Sequence, residues 1–199
     1  RSTGVFGRVV GVLDRSLKDV EFAAYGACLL WLAALMLAGE VVVSLALLGV
    51  VNPWAIPGAQ WARVCAFVGL VGWYRNGRLL PATGTERQLW SLGGGYIVCC
   101  FAAALSMRFG TLGLDPEKDV FLYQPLSALT GLLFFSLGAV LWGWCYAFGL
   151  AFLAAGFAMA IDLRFAPLLF GVTWAAVLTV IGLRLKRLAR LTRTCGTPP

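Results

Sequence analysis

Two ionisable residues stand well inside apolar stretches of this sequence, Glu40 and Arg63. A carboxylate and a guanidinium in such surroundings can pair with each other, hold an ion or bind a charged ligand. Charge within hydrocarbon is costly enough to mark a functional site by default. Glu40 lies about 11 residues before the end of its apolar stretch, and Arg63 about six residues into the next. Antiparallel neighbouring helices would bring them level, helped by the reach of arginine. Two readings stand side by side: a ligand or ion site open to the outer face, and a structural ion pair, or an Arg63 that simply reaches the interface.

Other chemistry is sparse. The chain has no His, and its six cysteines (28, 65, 99, 100, 145 and 195) form no CxxC pair. Five of them fall in apolar segments, where Cys behaves as a small hydrophobe, so neither a metal site nor a disulfide framework is expected. Acid–base catalysis gathers several titratable groups within hydrogen-bond reach, and here they are scattered. No catalytic or cofactor-binding residue is assigned, and the chain is read as non-enzymatic. Gly93-Gly94-Gly95 lacks the strand, the Lys and the spacing of a phosphate loop. It reads instead as a close helix-packing surface, as do Ala151 with Ala155 and Ala154 with Ala158.

The elements that must position these residues follow from composition. Of 199 residues 60% are hydrophobic and 13% charged, with a mean hydropathy of +0.85. Soluble domains carry nearer a quarter charged residues. The excess falls in stretches long enough to cross a bilayer, for which about 20 apolar residues suffice as a helix. The expected architecture is all-α, an integral membrane bundle of six transmembrane helices behind an amphipathic juxtamembrane helix over 1–22. The transmembrane domain covers 23–183, with spans at about 23–51, 57–74, 88–107, 120–141, 145–161 and 167–183, followed by a basic cytoplasmic tail over 184–199.

Several boundaries have local signals. Asn52-Pro53 ends the first span, and Pro57 suits the first turn of the second. Thr85 and Gln88 read as a capping box opening the third, with Thr85 at the N-cap. From Val120 to Ile161 there are 42 residues without a charge. One helix of that length would be about 63 Å long, twice the hydrocarbon thickness, so a break is expected at Trp142-Gly143-Trp144.

Charge placement sets the orientation. Twelve Lys and Arg fall in the N-terminal stretch, the loop after span two and the tail, against three (Arg108, Lys118, Arg164) on the other side. The positive-inside rule places the twelve, and both termini, in the cytoplasm. Because the basic residues flank apolar segments, the net charge of +7 speaks for lipid rather than nucleic acid. Arg184, Lys186, Arg187 and Arg190 are candidates for contact with anionic lipid headgroups, at about 1 kcal/mol each. Cys195 beside them is either a free thiol or an acylation site.

Three segments are similar, in order, to a known arrangement. Asp14-Arg15 through Lys18-Asp19-Val20-Glu21-Phe22 precedes span one. Glu86-Arg87-Gln88-Leu89-Trp90-Ser91, then Gly95-Tyr96, opens span three. Trp142-Gly143-Trp144-Cys145-Tyr146-Ala147-Phe148-Gly149-Leu150-Ala151-Phe152 opens span five. Over nearly the whole chain this resembles the C-terminal multi-span membrane region of some bacterial serine/threonine protein kinases. The resemblance implies a cytoplasmic kinase domain before Arg1 and a non-catalytic, membrane-anchoring and sensory role for this chain, with the stretch 5–20 as the connection. The kinase's own machinery is not in this sequence. Without His there is no His-Arg-Asp, and Ala147-Phe148-Gly149 lacks the Asp of Asp-Phe-Gly. The rival expectations are a free-standing small transporter or channel using Glu40 and Arg63, and a subunit of a membrane complex.

Overall fold

The computed structural model describes residues 25–52, 55–74, 84–109, 120–140 and 142–195. The amphipathic stretch 1–22, the loop with Arg75 and Arg78, and the loop from Asp115 to Asp119 lie outside the described residues. The described chain is helical, without a strand, and has six α-helices: α1 Gly26–Leu47, α2 Ala55–Tyr74, α3 Gly84–Phe109, α4 Tyr123–Val140, α5 Trp144–Ile161 and α6 Ala166–Cys195. Five meet the length and apolarity needed to cross a membrane: α1, α3, α4 with its leading turn, α5, and α6 with its leading turn. The sixth, α2, carries Gln60 and Arg63 in its first half.

Local chemistry explains the helix ends. The apolar run continues to Val51, yet α1 stops at Leu47. Gly49 adopts φ +74, while its N–H bonds the Ala46 carbonyl and the Val50 N–H bonds the Leu45 carbonyl at 2.9 Å. That is a Schellman cap, which needs a residue able to turn left-handed. The uncharged stretch divides at Trp142-Gly143, where the Cys145 and Tyr146 N–H groups bond the Trp142 and Gly143 carbonyls at 2.8 and 3.1 Å. Before α6, Asp162 accepts a 3.0 Å bond from the Arg164 N–H and opens a 3-10 turn over Leu163–Phe165. At its other end α6 does not stop near Leu183. It continues as one helix through Arg184, Lys186 and Arg187 to Cys195, 30 residues in all, or about 45 Å.

Packing is most extensive between α1 and α6, then between α4 and α5. Glycine lets both pairs approach closely. A Cβ on Gly26 would lie 2.8 Å from the Gly182 carbonyl oxygen, and one on Gly149 would lie 2.9 Å from that of Gly131. Contacts of Gly26 with Gly182 and of Glu40 with Gly171 make α1 and α6 antiparallel. Ser127 links α4 to α5 by donating to the Phe152 carbonyl at 2.6 Å. The core between them is aromatic: Phe134 stacks on Phe152 at 5.4 Å, and Trp174 meets Phe152 edge-on at 5.2 Å. Outward, Trp31, Phe101, Leu132 and Phe157 are 60–78% exposed, apolar surface that a soluble fold would bury.

The small-residue expectations are corrected here. Gly93, Gly94 and Gly95 face open space within this chain, because α3 lies at the periphery and packs chiefly on α4. Of Ala151, Ala154, Ala155 and Ala158 on α5, only Ala155 is buried. The close approaches fall instead at Gly26, Gly39, Gly131, Gly149, Gly171 and Gly182.

Candidate functional site: a buried carboxylate between three helices

Glu40 sits seven residues before the end of α1, about 10 Å from it along the axis. The carboxylate is almost fully buried, at 1% exposure. Arg63 of α2, itself buried, donates from Nη1 to Glu40 Oε1 in an ion pair. Tyr123, the first residue of α4, donates from Oη to Glu40 Oε2 at 2.6 Å. Both carboxylate oxygens are therefore engaged, each by a different helix. One turn on, Ser44 donates to the Glu40 backbone carbonyl at 2.8 Å.

Two glycines make room for this arrangement. A Cβ at Gly39 would come within 2.6 Å of Arg63 Cδ, and one at Gly171 of α6 within 2.6 Å of Glu40 Cβ. Phe170, beside Gly171, packs edge-on against the Tyr123 ring with centroids 5.6 Å apart. Four helices thus converge on one carboxylate. Burying a charge is tolerable when it is paired and its remaining lone pairs are satisfied, and Glu40 meets both conditions. Arg63 Nη2 is buried without a hydrogen-bond partner among the described residues.

A second polar contact fixes the peripheral helix α3. Thr130 Oγ1 donates to the Leu126 carbonyl at 2.7 Å, so its proton is committed and Tyr96 Oη is the donor in the 2.8 Å bond between them.

The other candidate residues are placed separately. Thr85 and Gln88 both lie within α3, which begins at Gly84; Gln88 is exposed, and the Thr85 side chain lies outside the described residues. Arg184 stacks over the Trp142 ring, with Cζ 3.9 Å from its centroid. Lys186 and Arg187 are exposed, and the Arg190 side chain lies outside the described residues. Among the described residues no cluster of His, Cys, Asp and Glu has metal-binding geometry.

Sequence reasoning singled out Glu40 and Arg63 because they are charged. It missed Tyr123, Gly39 and Gly171, which are neutral and lie in otherwise featureless apolar runs. The one available signal was the position of Tyr123 at a helix start, level with the end of α1. Comparison with protein-family models, curated proteins and solved structures finds no match for this chain.

Proposed function

We propose that this chain is an integral membrane domain of six transmembrane helices with both ends in the cytoplasm. Its role is to anchor a larger cytoplasmic signalling protein and pass signals to it. The attached enzyme is a serine/threonine protein kinase, a reading supported by the sequence resemblance alone.

The observation that carries the topology is the antiparallel pairing of α1 with α6, in which Gly26 meets Gly182. If both helices cross, the crossings between them must be even in number. The helices α3, α4 and α5 provide three, so α2 provides the fourth, its arginine neutralised against Glu40. The same pairing puts the start of α1 beside Lys186 and Arg187, at the end that the positive-inside rule assigns to the cytoplasm. Reporter fusions test this. Alkaline phosphatase should be active when fused after Asp115 and inactive after Arg78 or Arg187; activity after Arg78 would sink the six-span topology. For the attached enzyme, the reading frame upstream of Arg1 should encode a kinase domain with His-Arg-Asp and Asp-Phe-Gly segments. A start codon close to Arg1 would remove that reading.

A transporter or channel using Glu40 and Arg63 draws its support from the spare donor of Arg63 Nη2. It requires Glu40→Gln to abolish flux in reconstituted vesicles. The engagement of both carboxylate oxygens by Arg63 and Tyr123 favours a structural pair.

A further inference from the structure

The start of α1 is held against the last part of α6. A Cβ on Gly26 would stand 2.9 Å from the backbone nitrogen of Lys186 and 3.0 Å from its Cγ. Beyond Lys186, α6 runs on without a break to Cys195, about 13 Å further. The chain before Tyr25 therefore joins α1 beside the first turn of a helical extension that reaches well past it. Lys186 and Arg187 on that extension are exposed and make no ion pair among the described residues. Arg190 and Arg193 follow in its last turns.

Two partners suit this charge, an anionic bilayer surface and the chain's own segment before α1. Attraction to a bilayer surface fades within a Debye length, about 8 Å at physiological salt. Along the axis of α6, Arg193 lies about 15 Å beyond Leu183, where the apolar run ends. The segment before α1 is attached at the right place. Between positions 14 and 21 its acids Asp14, Asp19 and Glu21 outnumber Arg15 and Lys18. The register agrees as well. Gly182, Lys186, Ala189 and Arg193 recur at three- and four-residue spacing, one line of a helix, and Gly26 meets the first two. Carried upstream at the same spacing, the line of Gly26 runs through Ala23 to Asp19. Asp19 stands as far before Gly26 as Arg193 stands after Lys186, which sets them level in an antiparallel pair.

We propose that the extension of α6 is a docking surface for residues 14–24 of the same chain, continued from α1 as an antiparallel helix with Asp19 against Arg193. The clasp deepens the reading of the chain as a signalling membrane domain, and rests on that reading for placing this end in the cytoplasm. It ties the connection toward an attached enzyme to the last helix, so that a slide of α6 along α1 reaches that connection directly.

The test is oxidative cross-linking of the whole chain, with Cys195→Ser throughout, in nanodiscs of phosphatidylcholine or of phosphatidylglycerol. Asp19→Cys with Arg193→Cys should bridge roughly ten-fold faster than Leu17→Cys with Arg193→Cys, since the same helix turns position 17 away. The facing pair should bridge at one rate in both lipids. Phe22→Cys with Ala189→Cys, one turn nearer the bundle, should bridge as fast as the facing pair. It keeps the test decisive if the first pair fails to fold, as judged by circular dichroism and gel filtration. Equal rates for facing and averted pairs would overturn the proposal. Bridging suppressed by phosphatidylglycerol would overturn it too, because the extension then belongs to anionic lipid. Release of the chain from membranes by alkaline carbonate would instead bring down the membrane reading, while the cross-link itself would stand.

Discussion

Gly171 lies against Glu40 so closely that a Cβ there would stand 2.6 Å from the Glu40 Cβ. The obstructing atom is the root of a side chain, so it cannot swing aside; α6 would have to move off α1. Gly171→Ala should therefore destabilise the fold by about 1–3 kcal/mol as an overpacking change, despite the better helix propensity of Ala. Thermal unfolding in detergent reads the loss. Gly39→Ala meets the flexible Arg63 stem and should cost less.

Removing one partner of the buried pair should be worse than removing both. Arg63→Met leaves Glu40 buried with half its partners, a change worth about 3–5 kcal/mol. The double variant Glu40→Met with Arg63→Met should recover most of that loss, because a well-packed apolar pair is nearly neutral in such a site. Equal losses in the single and double variants would show that the charges do not act as a pair.

Tyr123→Phe takes one donor from the carboxylate while leaving the ring on Phe170. A hydrogen bond to a charged acceptor contributes about 1.5–3 kcal/mol, and a loss in that range is expected. Tyr123→Phe and Arg63→Met should be non-additive, since they share the acceptor. A double-mutant cycle of unfolding free energies measures the coupling.

Ser127→Ala breaks the α4–α5 bond to the Phe152 carbonyl, and Tyr96→Phe the α3–α4 bond to Thr130. Each should cost about 0.6 kcal/mol, the average for hydrogen bonds between membrane helices. Because the two sites share no partner, the double variant should show the sum.

The glycines separate by environment. Gly94→Ala should be neutral or stabilising by up to about 1 kcal/mol, since a Cβ there meets nothing in this chain. Gly49→Ala should be destabilising, because φ +74 suits an L side chain poorly. Opposite signs in one unfolding assay would check both.

Much of the fold was legible because length and apolarity act through whole segments. The 42 uncharged residues were too long for one span, and they do form two helices meeting at Trp142-Gly143. Details carried by single residues were harder to read. The end of α1 depends on the left-handed turn at Gly49, which an apolar run through Val51 conceals. The continuation of α6 beyond Leu183 was hidden because basic residues mark a membrane boundary without marking a helix end. Within the site, charge exposed Glu40 and Arg63, but no periodicity could say which of four helices would bring Tyr123 and Gly171 to them. The misplaced packing surface at Gly93–Gly95 has the same cause: small residues permit close approach without naming the neighbour.

The pairing of the first described helix with the last has a consequence for how the molecule is made. A ribosome completes α1 long before α6 exists, and Glu40 is made before either Arg63 or Tyr123. Until then the nascent chain must shelter a carboxylate without its two partners and a long unclaimed flank. The bundle closes only when the final helix arrives. Biogenesis, more than the finished structure, is where truncation or delay would be felt.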